Sequence, residues 1–473
     1  MVMVWSIDHL IFFSFLIINI IFGLRSSRGI TTLAQYSLGD RNFTTATLIS
    51  TLVATWICGE FFYSILIETY KNGLYYIIPT LGNTLCFIIV GYFFIPRMRE
   101  FLGKISIAEA MGDLYGEKVR LITSVAGFIC VGGIIAVQLK IAGSIFEYVL
   151  NIKSIYGILL AGFIITIYST LGGIKSVTFT DTIQFFTFGT IIPVTTYFFF
   201  TRFVDSTNIF TFINEHPNYN LSKVFDVSDK KFFSILFLFF YMTMPSFNPA
   251  IFQRISMSKN IKQAQRSFYI LSFFVFALTL IVAWLGLVLD YNFKMLNDSN
   301  LMKTLFDNIP PVYKGMLLIG IMAMVMSTVD SYINSSSVLI THDFLNVFRK
   351  LKDELLTARI VSLFLGVVGI LLSLKDIGIF RLIVLSSSFY MCTVTVPFIM
   401  AIMGYRTPYK KAVLYGIASG VLVNTLWIFL DITVIDGVIP AMIANWLILV
   451  IMHKYYHGKK LSENQISLNS SKF

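Results

Sequence analysis

The segment GMLLIGIMAMVMSTVDSYINSSSVLI, residues 315–340, joins a long apolar run to a cluster of polar side chains. Its length exceeds the roughly 20 residues that an α-helix needs to cross a bilayer. On a helix, residues three and four positions apart share a face. The polar side chains with this spacing are Ser327, Asp330, Ser331, Asn334 and Ser335, with Thr328 beside them. The segment therefore predicts a membrane-spanning helix that carries one polar stripe.

This polar stripe has two interpretations. Hydroxyl and amide side chains hydrogen-bond between membrane helices, so the stripe could serve helix packing alone. Hydroxyls together with a carboxylate also suit a small hard cation, which prefers oxygen ligands. An ionisable residue such as Asp330 is costly inside a span and favours a functional site. The residues alone leave both interpretations open.

The composition of the whole chain is that of a membrane protein. Of its 473 residues, 56% are hydrophobic and only 13% are charged, and the mean hydropathy is +0.78. Soluble proteins contain about 25% charged residues. The net charge of +11 does not indicate nucleic-acid binding, because the basic residues are spread over short loops. The sequence shows neither a zinc or disulfide pattern of cysteines nor a nucleophile–base motif, so we expect no enzyme.

Thirteen apolar runs are long enough to cross a bilayer, which predicts an all-α membrane protein. The predicted spans are 5–24, 43–70, 74–95, 119–149, 153–173, 176–203, 232–252, 267–292, 312–345, 357–374, 379–404, 411–431 and 436–454. Lysines and arginines concentrate in alternate connecting segments, which predicts an outside N-terminus and a cytoplasmic C-terminus. We expect one transmembrane domain, 1–454, followed by a polar cytoplasmic tail, 455–473.

Two other spans combine polar residues with helix breakers. Glu60 lies beside Gly59 in the middle of the second span, and a glycine there can mark an interrupted helix that faces a cavity. Glu60 is then a substrate or ion contact, or alternatively a structural partner of Lys140. Asn248 lies between two prolines in the seventh span, which predicts a second interruption.

The sixth span carries a carboxylate close to its cytoplasmic end. Asp181 follows the pair Gly172 and Gly173, which predicts a break in the helix just before it. Asp181 has two interpretations. It could be an oxygen ligand for a cation near the polar stripe, or an interfacial residue that pairs with Lys175 or with water.

Seven motifs, in order along residues 8–405, resemble the sodium:solute symporter family, whose members carry proline, pantothenate, choline, sugars or sialic acid. They are YSLGDRNF, ATWICGEFF, ISIAEAMGDLYG, QLKIAGSIFE, YSTLGGIKSVTFTDTIQ, NPAIFQRISMSKNIKQAQRS and VMSTVDSYINSSSVLITHDF. The resemblance implies a LeuT-type fold of two inverted five-helix repeats, here 43–203 and 232–404, with one helix before and two after them. It also implies symport of sodium with a small organic solute by alternating access.

The resemblance also implies where the coupling ion binds. The sodium ligands would be the backbone carbonyl groups of Ala54, Ile57 and Met324 and the hydroxyl groups of Ser327 and Thr328. Some relatives have a second sodium position, whose equivalents here are Asp181, Ser327, Asp330 and Ser331. A hydroxyl often stands where Asp330 stands, and the carboxylate could either strengthen cation binding or carry a proton.

The substrate site departs from that of the sugar carriers. Phe61 stands where they have a glutamine, and Ala250 replaces their gating tyrosine. Glu60 stands where the proline carriers have a tryptophan. A carboxylate among aromatic rings suits a cationic or zwitterionic amine. The candidate substrate contacts are Glu60, Phe61, Tyr241 and Asn248.

The sequence therefore predicts a sodium-coupled symporter of an amino acid, a choline-like amine or an organic acid. Sodium is the coupling ion, and we expect neither another cofactor nor an obligatory protein partner. Hydroxyl and carbonyl ligands favour sodium over protons, because they do not titrate near neutrality. The alternatives are a proton-coupled carrier of the same fold and a non-transporting membrane sensor or binding module. Heavy use of Ile, Phe, Lys and Asn favours a bacterial cytoplasmic membrane.

Overall fold

The computed structural model describes residues 6–26, 29–375, 377–430 and 437–470, and in them the protein is all-helical. Helices account for 84% of the residues, with no strand in the part described. The start of the first predicted span, the junction of the last two spans and the last three residues of the predicted tail lie outside these ranges.

Fourteen helices of the described chain occupy the predicted spans. They are α1 Ile7–Ser26, α2 Thr45–Trp56, α3 Gly59–Asn72, α4 Leu74–Arg97, α5 Glu117–Leu150, α6 Ser154–Phe203, α7 Lys230–Thr243, α8 Pro249–Ser256, α9 Ile261–Asn292, α10 Tyr313–Phe348, α11 Glu354–Ser373, α12 Arg381–Ile402, α13 Lys410–Phe429 and α14 Val438–Ser470. The main helices in the connections are Leu33–Leu38, Ile107–Tyr115, Ser206–Glu215, Leu221–Val224 and Asp298–Asp307.

The number of membrane crossings depends on how interrupted helices are counted. Within the described residues, ten helices are individually long and apolar enough to cross a bilayer, and the bent pair α2–α3 adds an eleventh. The 50-residue α6 contains two predicted spans, and the span predicted at 232–252 is divided between α7 and α8. A multi-pass membrane protein is therefore confirmed, while the count of thirteen spans stays a prediction.

The break inside α6 lies at Gly173, which has a φ of 58° and a ψ of 179°. A Cβ atom there would lie 2.8 Å from Ile30 Cδ1 and 2.9 Å from Tyr36 Cδ2. Glycine is required on both counts, since other residues rarely adopt this φ and no space exists for their side chain. The turn sets the direction of the second half of α6, which carries Asp181.

Helix α10 lies at the centre of the molecule. Every residue from Gly320 to Leu339 is buried, and α10 packs against α1, α2, α5, α6, α8 and α11. A helix buried on all sides must satisfy its polar side chains with partners from neighbouring helices. The polar stripe of α10 therefore faces other helices rather than lipid.

Candidate cation site

The interruption between α2 and α3 is built against α5 and α10. Helix α2 ends at Trp56, and α3 begins at Gly59 with a bend of 52°. The Gly59 amide donates to Gln138 Oε1 on α5 at 3.0 Å. A Cβ atom at Gly59 would lie 2.6 Å from Val325 Cγ2 on α10. Glycine therefore allows the two helices to touch at the break.

The end of α2 and the polar stripe of α10 meet at this break. Ser327 Oγ donates to the carbonyl oxygen of Ala54 at 2.8 Å and to that of Met324 at 3.0 Å. Thr328 Oγ1 donates to the same Met324 carbonyl at 3.0 Å. Ile57 directly follows the end of α2, where helical carbonyls lack helical amide partners. All five residues are at most 1% exposed, and hydrogen bonds join four of them, Ala54, Met324, Ser327 and Thr328, in one buried cluster.

A second cluster of polar side chains lies beside the same stripe of α10. It contains the carboxylate of Asp181, which is on α6. Thr51 Oγ1 on α2 donates to Asp181 Oδ2 at 2.5 Å. Ser331 Oγ on α10 donates to Asp181 Oδ2 at 3.5 Å. The alternative partner Lys175 instead pairs with Asp40, at 2.7 Å. Asp181 is thus a buried residue between helices and not an interfacial one.

This second cluster also contains a cation that the sequence did not predict. The Arg254 guanidinium, on α8, is paired with Asp181 at 3.5 Å, and both side chains are at most 1% exposed. Sequence patterns assigned Arg254 to a cytoplasmic loop, because the predicted seventh span ended at residue 252. Helix α8 continues to Ser256, and all eight of its residues are buried.

Asp330 lies beside these residues but has its own partner. Tyr168 on α6 donates its hydroxyl to Asp330 Oδ2 at 3.0 Å. The other carboxylate oxygens, Asp330 Oδ1 and Asp181 Oδ1, are buried without a hydrogen-bond partner in the described part of the chain. The sequence did not single out Tyr168, because a lone tyrosine in an apolar run carries no signal.

The lower end of the stripe serves helix packing. Asn334 Oδ1 accepts from Gln253 Nε2 on α8 at 3.0 Å. Asn334 Nδ2 donates to the carbonyl of Tyr36 at 3.3 Å. The part of the stripe around Asn334 thus joins helices, as the packing interpretation predicts, whereas cation binding by the oxygen atoms around Ser327 stays a prediction.

Two of the candidate substrate residues lie at the same interruption. Glu60 is half-buried in the first turn of α3, and Ser64 Oγ donates to Glu60 Oε1 at 2.7 Å. Phe61 is the next residue and is only 8% exposed. Tyr241 lies on α7, which packs against α4. A shared site of Glu60 and Tyr241 therefore stays a prediction.

Asn248 has a structural role. Its Oδ1 accepts from the amide of Ile251 at 3.0 Å, which caps the start of α8. The chain between α7 and α8 is not helical, as the two prolines predicted. This interruption faces the one in α2–α3 across a cavity of about 20 Å³ lined by Trp56, Pro245 and Phe247. Asn248 therefore fixes the start of α8 between Phe247 and Ile251, which both line this cavity.

Lys140 is not the partner of Glu60. Its Nζ donates to the carbonyls of Lys375 and Ile377 at 2.6 and 2.5 Å. Within the described residues, Glu60 forms no ion pair. In the described residues the Glu60 carboxylate therefore has no cationic partner, and its role as a substrate or ion contact stays a prediction.

One class of membrane transporters has interrupted helices, and the backbone oxygens at the interruptions face buried polar side chains. A model of the sodium:solute symporter family matches residues 36–420. The chain therefore belongs to the sodium:solute symporter family. This confirms the resemblance inferred from the motifs and the expectation that the protein is not an enzyme.

Characterised relatives match over limited segments. A protein named as a sodium-dependent multivitamin transporter of Drosophila melanogaster is 25% identical over 154 residues, which cover 33% of this chain and 25% of the relative. High-affinity choline transporter 1 of Caenorhabditis elegans is 26% identical over 163 residues, which cover 34% of this chain and 28% of the relative. The alignments thus span about a quarter of the relatives' length.

The fold is shared over nearly the whole chain with a solved transporter. A Na⁺-coupled sialic acid symporter in a substrate-bound outward-open state superposes with a TM-score of 0.81 at 18% identity. The superposition covers 94% of this chain and 96% of the other. It shows that the two proteins have the same fold.

Proposed function

We propose that the protein is a secondary active transporter that couples sodium entry to symport of a small organic solute by alternating access. The observation that carries the proposal is the contact of Ser327 Oγ with the Ala54 carbonyl, at 2.8 Å, where the helix α2 ends. Family membership and the shared fold support it.

In this proposal the sodium ligands are the Ala54, Ile57 and Met324 carbonyls and the Ser327 and Thr328 hydroxyls. A hydroxyl has lone pairs as well as a donor hydrogen. When sodium binds, each hydroxyl turns its oxygen toward the ion, and its hydrogen leaves the carbonyl that it contacts. The carbonyl oxygen is then available to the same ion.

Sodium at this site would join α2 to α10. Ala54 and Ser327 belong to different predicted repeats, so an ion that binds both favours the arrangement in which the repeats are close. A solute that also needs that arrangement then binds more tightly in the presence of sodium, and the coupling is reciprocal. This is the physical basis we propose for symport.

For the solute we propose a cationic or zwitterionic amine. Glu60 has no ion-pair partner within the described residues and lies in the first turn of α3, where the helix dipole stabilises a negative charge. In this proposal Phe61 and Tyr241 add aromatic surface for the amine. The choline transporter among the relatives supports this choice.

We further propose the LeuT-type architecture of thirteen spans in a single domain, 1–454, with inverted repeats 43–203 and 232–404. The N-terminus would lie outside and the tail, 455–473, in the cytoplasm of a bacterial cell. Helix α14 extends through most of this tail, as far as Ser470.

The proposed sodium site is tested by thermal unfolding of the purified protein in sodium chloride and in potassium chloride. A ligand that binds only the folded state stabilises it by about 2.7 kcal/mol at a hundredfold excess over its Kd. We expect sodium alone to raise the Tm, and Ser327→Ala/Thr328→Ala to abolish that increase.

The control is Ser335→Ala, on the same helix, because within the described residues Ser335 Oγ bonds only to the Tyr332 carbonyl one turn away, at 3.2 Å. This variant should keep the sodium response. A wild-type protein that is stabilised equally by sodium and potassium would overturn the proposal. Stabilisation that follows pH and ignores sodium would instead favour the proton-coupled carrier.

A further inference from the structure

An open groove lies between α13 and α14, the two helices that follow the predicted repeats. Each of these helices is long and apolar enough to cross a bilayer. The groove has a volume of about 830 Å³, and the residues that line it include Tyr415, Ala418 and Leu422 of α13 and Ile448, Met452 and Tyr455 of α14. Tyr415 is 50% exposed, and Leu422 and Tyr455 are each 60% exposed. The groove is therefore open to the lipid in which these helices would lie.

Beneath the groove the two helices are in direct contact. A Cβ atom at Gly416 on α13 would lie 2.7 Å from Asn445 Oδ1 on α14. Ser419 Oγ, which lines the groove, donates to the carbonyl of Ala444 on α14 at 3.2 Å. The floor of the groove is therefore closed, and its shape is set by packed helices.

Helical spacing places one lysine of each helix on the face that lines the groove. Residues four positions apart on a helix share a face. Lys411 precedes Tyr415 by four positions, and Lys459 follows Tyr455 by four positions. Both lysines are exposed. Within the described residues, Lys411 forms no ion pair.

The two lysines lie at the same end of the groove. Tyr409, directly before α13, stacks on Tyr456 of α14 with 5.8 Å between the ring centroids. The start of α13 therefore lies beside the part of α14 around Tyr456. Lys411 is two residues from one of these rings, and Lys459 is three residues from the other. The groove thus has an apolar length and one basic end.

We propose that this groove is a binding site for one anionic phospholipid, with an acyl chain along the groove and the headgroup at Lys411 and Lys459. The apolar walls alone do not select a lipid, because lipid tails are as apolar as the side chains that they contact. Selection comes from the basic end, since basic pockets between membrane helices attract anionic headgroups. Tyrosine rings such as Tyr415 and Tyr455 suit the headgroup level, because one end of the ring is apolar and the other is polar. The inference goes beyond the proposed function and is independent of the transported solute.

Charge also favours a lipid over a second copy of this chain. A two-fold dimer brings the same surface of both copies together. A dimer through this groove would therefore place Lys411 and Lys459 of one copy near those of the other, and like charges repel. An anionic headgroup meets the same lysines with the opposite charge.

The experiment is native mass spectrometry of the purified full-length protein, titrated with phosphatidylglycerol or with phosphatidylethanolamine that has the same acyl chains. The measured quantity is the Kd of the first lipid bound. Each lysine near a membrane surface favours an anionic lipid by about fivefold. We therefore expect the wild type to bind phosphatidylglycerol about 30-fold more tightly than phosphatidylethanolamine. In Lys411→Gln/Lys459→Gln this preference should fall to about twofold or less.

The matched control is Lys410→Gln/Lys454→Gln, which removes the same charge from the same two helices. Lys410 Nζ would lie 3.0 Å from a Cβ atom at Gly116, so this lysine points toward the chain before α5. Lys454 directly precedes Tyr455, so it lies on another face of α14. All four lysines are exposed, so both double variants should fold. The control should keep the 30-fold preference.

Three results would overturn the inference. The first is a wild type that binds the two lipids equally. The second is an equal loss of preference in both double variants, which would show that the attraction comes from the overall charge of this end of the protein. The third is a wild-type dimer that Leu422→Asn separates, which would assign the groove to a second copy of the chain.

Discussion

At the scale of the residue, the solute choice proposed above depends on Glu60. Its carboxylate is half-buried at the helix interruption, accepts from Ser64 at 2.7 Å and has no ion-pair partner in the described chain. A carboxylate held in a membrane without a cation is costly, and a ligand cation relieves that cost. We therefore expect the charge of Glu60 to select for a positive group on the solute.

Replacing Glu60 by Gln should abolish this selection. The charge-assisted contact contributes about 1.5–3 kcal/mol, so we expect the affinity for an amine probe such as choline or glycine betaine to fall by about 10- to 100-fold. The measurement is the sodium-dependent shift in Tm over a series of probe concentrations.

The control for this prediction is Glu68→Gln, near the outer end of the same helix. Glu68 accepts from Asn72 Nδ2 at 2.8 Å, and its replacement should leave the probe affinity within twofold. Sodium-dependent binding of carboxylic acids alone, unchanged in Glu60→Gln, would show that the solute is not an amine.

Sequence patterns predicted the neutral part of the site better than its charged part. Ser327 and Thr328 stand at helical spacing in an apolar run, so their place on a buried stripe follows from periodicity. Arg254 follows the end of a predicted span, and the same basic residue is expected there by the positive-inside rule. Its burial results from tertiary packing of α8 against α2 and α10, which no local pattern records.

At the scale of the element, the interruption of α2–α3 positions the residues that we propose as sodium ligands. The end of α2 provides the backbone carbonyls, and α3 starts against α10 because Gly59 has no side chain. With any larger residue, the contact of Gly59 with Val325 would open.

The variant Gly59→Ala tests this contact. Its Cβ atom would lie 2.6 Å from Val325 Cγ2 and 3.0 Å from Gln138 Oε1. Overpacking of this kind costs about 1–3 kcal/mol, so we expect a lower Tm and weaker sodium binding. Val325→Ala in the same protein should restore much of both, since it removes the clashing methyl group.

The control for the packing argument is Gly189→Ala on α6. A Cβ atom at Gly189 would meet no atom within 4 Å, and alanine favours a helix over glycine by about 0.5–1 kcal/mol. We expect this variant to be neutral or slightly stabilising. Equal losses of Tm in both variants would show that steric contact at the break is not the cause.

Glycines and prolines made the interruptions predictable, but not their geometry. Gly59, Gly173 and the prolines beside Asn248 each mark a break that the structure contains. The sequence predicted two spans within 153–203. It did not predict that the chain would be helical on both sides of Gly173 with no loop between the two helical parts. A one-residue turn depends on the shape of Ile30 and Tyr36, which pack over Gly173 and lie far away in sequence.

At the scale of the whole molecule, side chains from other helices form hydrogen bonds or ion pairs with α10 at both of its ends. At its start, Asp8 Oδ1 on α1 accepts from the amides of Val312 and Gly315, at 2.8 and 2.9 Å. Near its end, Asp343 pairs with Arg120 on α5 at 2.6 Å and accepts from Ser106, which also caps the helix Ile107–Tyr115. The central helix is thus connected to three other parts of the fold.

The ion pair near the end of α10 should stabilise the fold. Asp343 is fully buried, and the Arg120 side chain is 24% exposed. Removing one partner of a buried pair costs about 3–5 kcal/mol, and partial exposure of Arg120 places the expected loss at the lower end. We expect Arg120→Gln to lower the Tm by several degrees, measured by thermal unfolding in detergent.

The double variant Arg120→Gln/Asp343→Asn leaves no uncompensated charge and should recover most of the lost stability. A double variant less stable than Arg120→Gln would show that the hydrogen bond from Ser106 to Asp343, and not the ion pair, dominates. Neither variant should change the number of sodium ions bound, because Asp343 lies near the end of α10, several helical turns after Ser327.

The buried pair of Arg254 and Asp181 also joins the two predicted repeats, since α8 belongs to one repeat and α6 to the other. Removing one partner of such a pair costs about 3–5 kcal/mol, because it leaves an uncompensated charge in the interior. A conformational change that moves α8 away from α6 therefore carries a similar cost unless another polar or charged group replaces the lost partner.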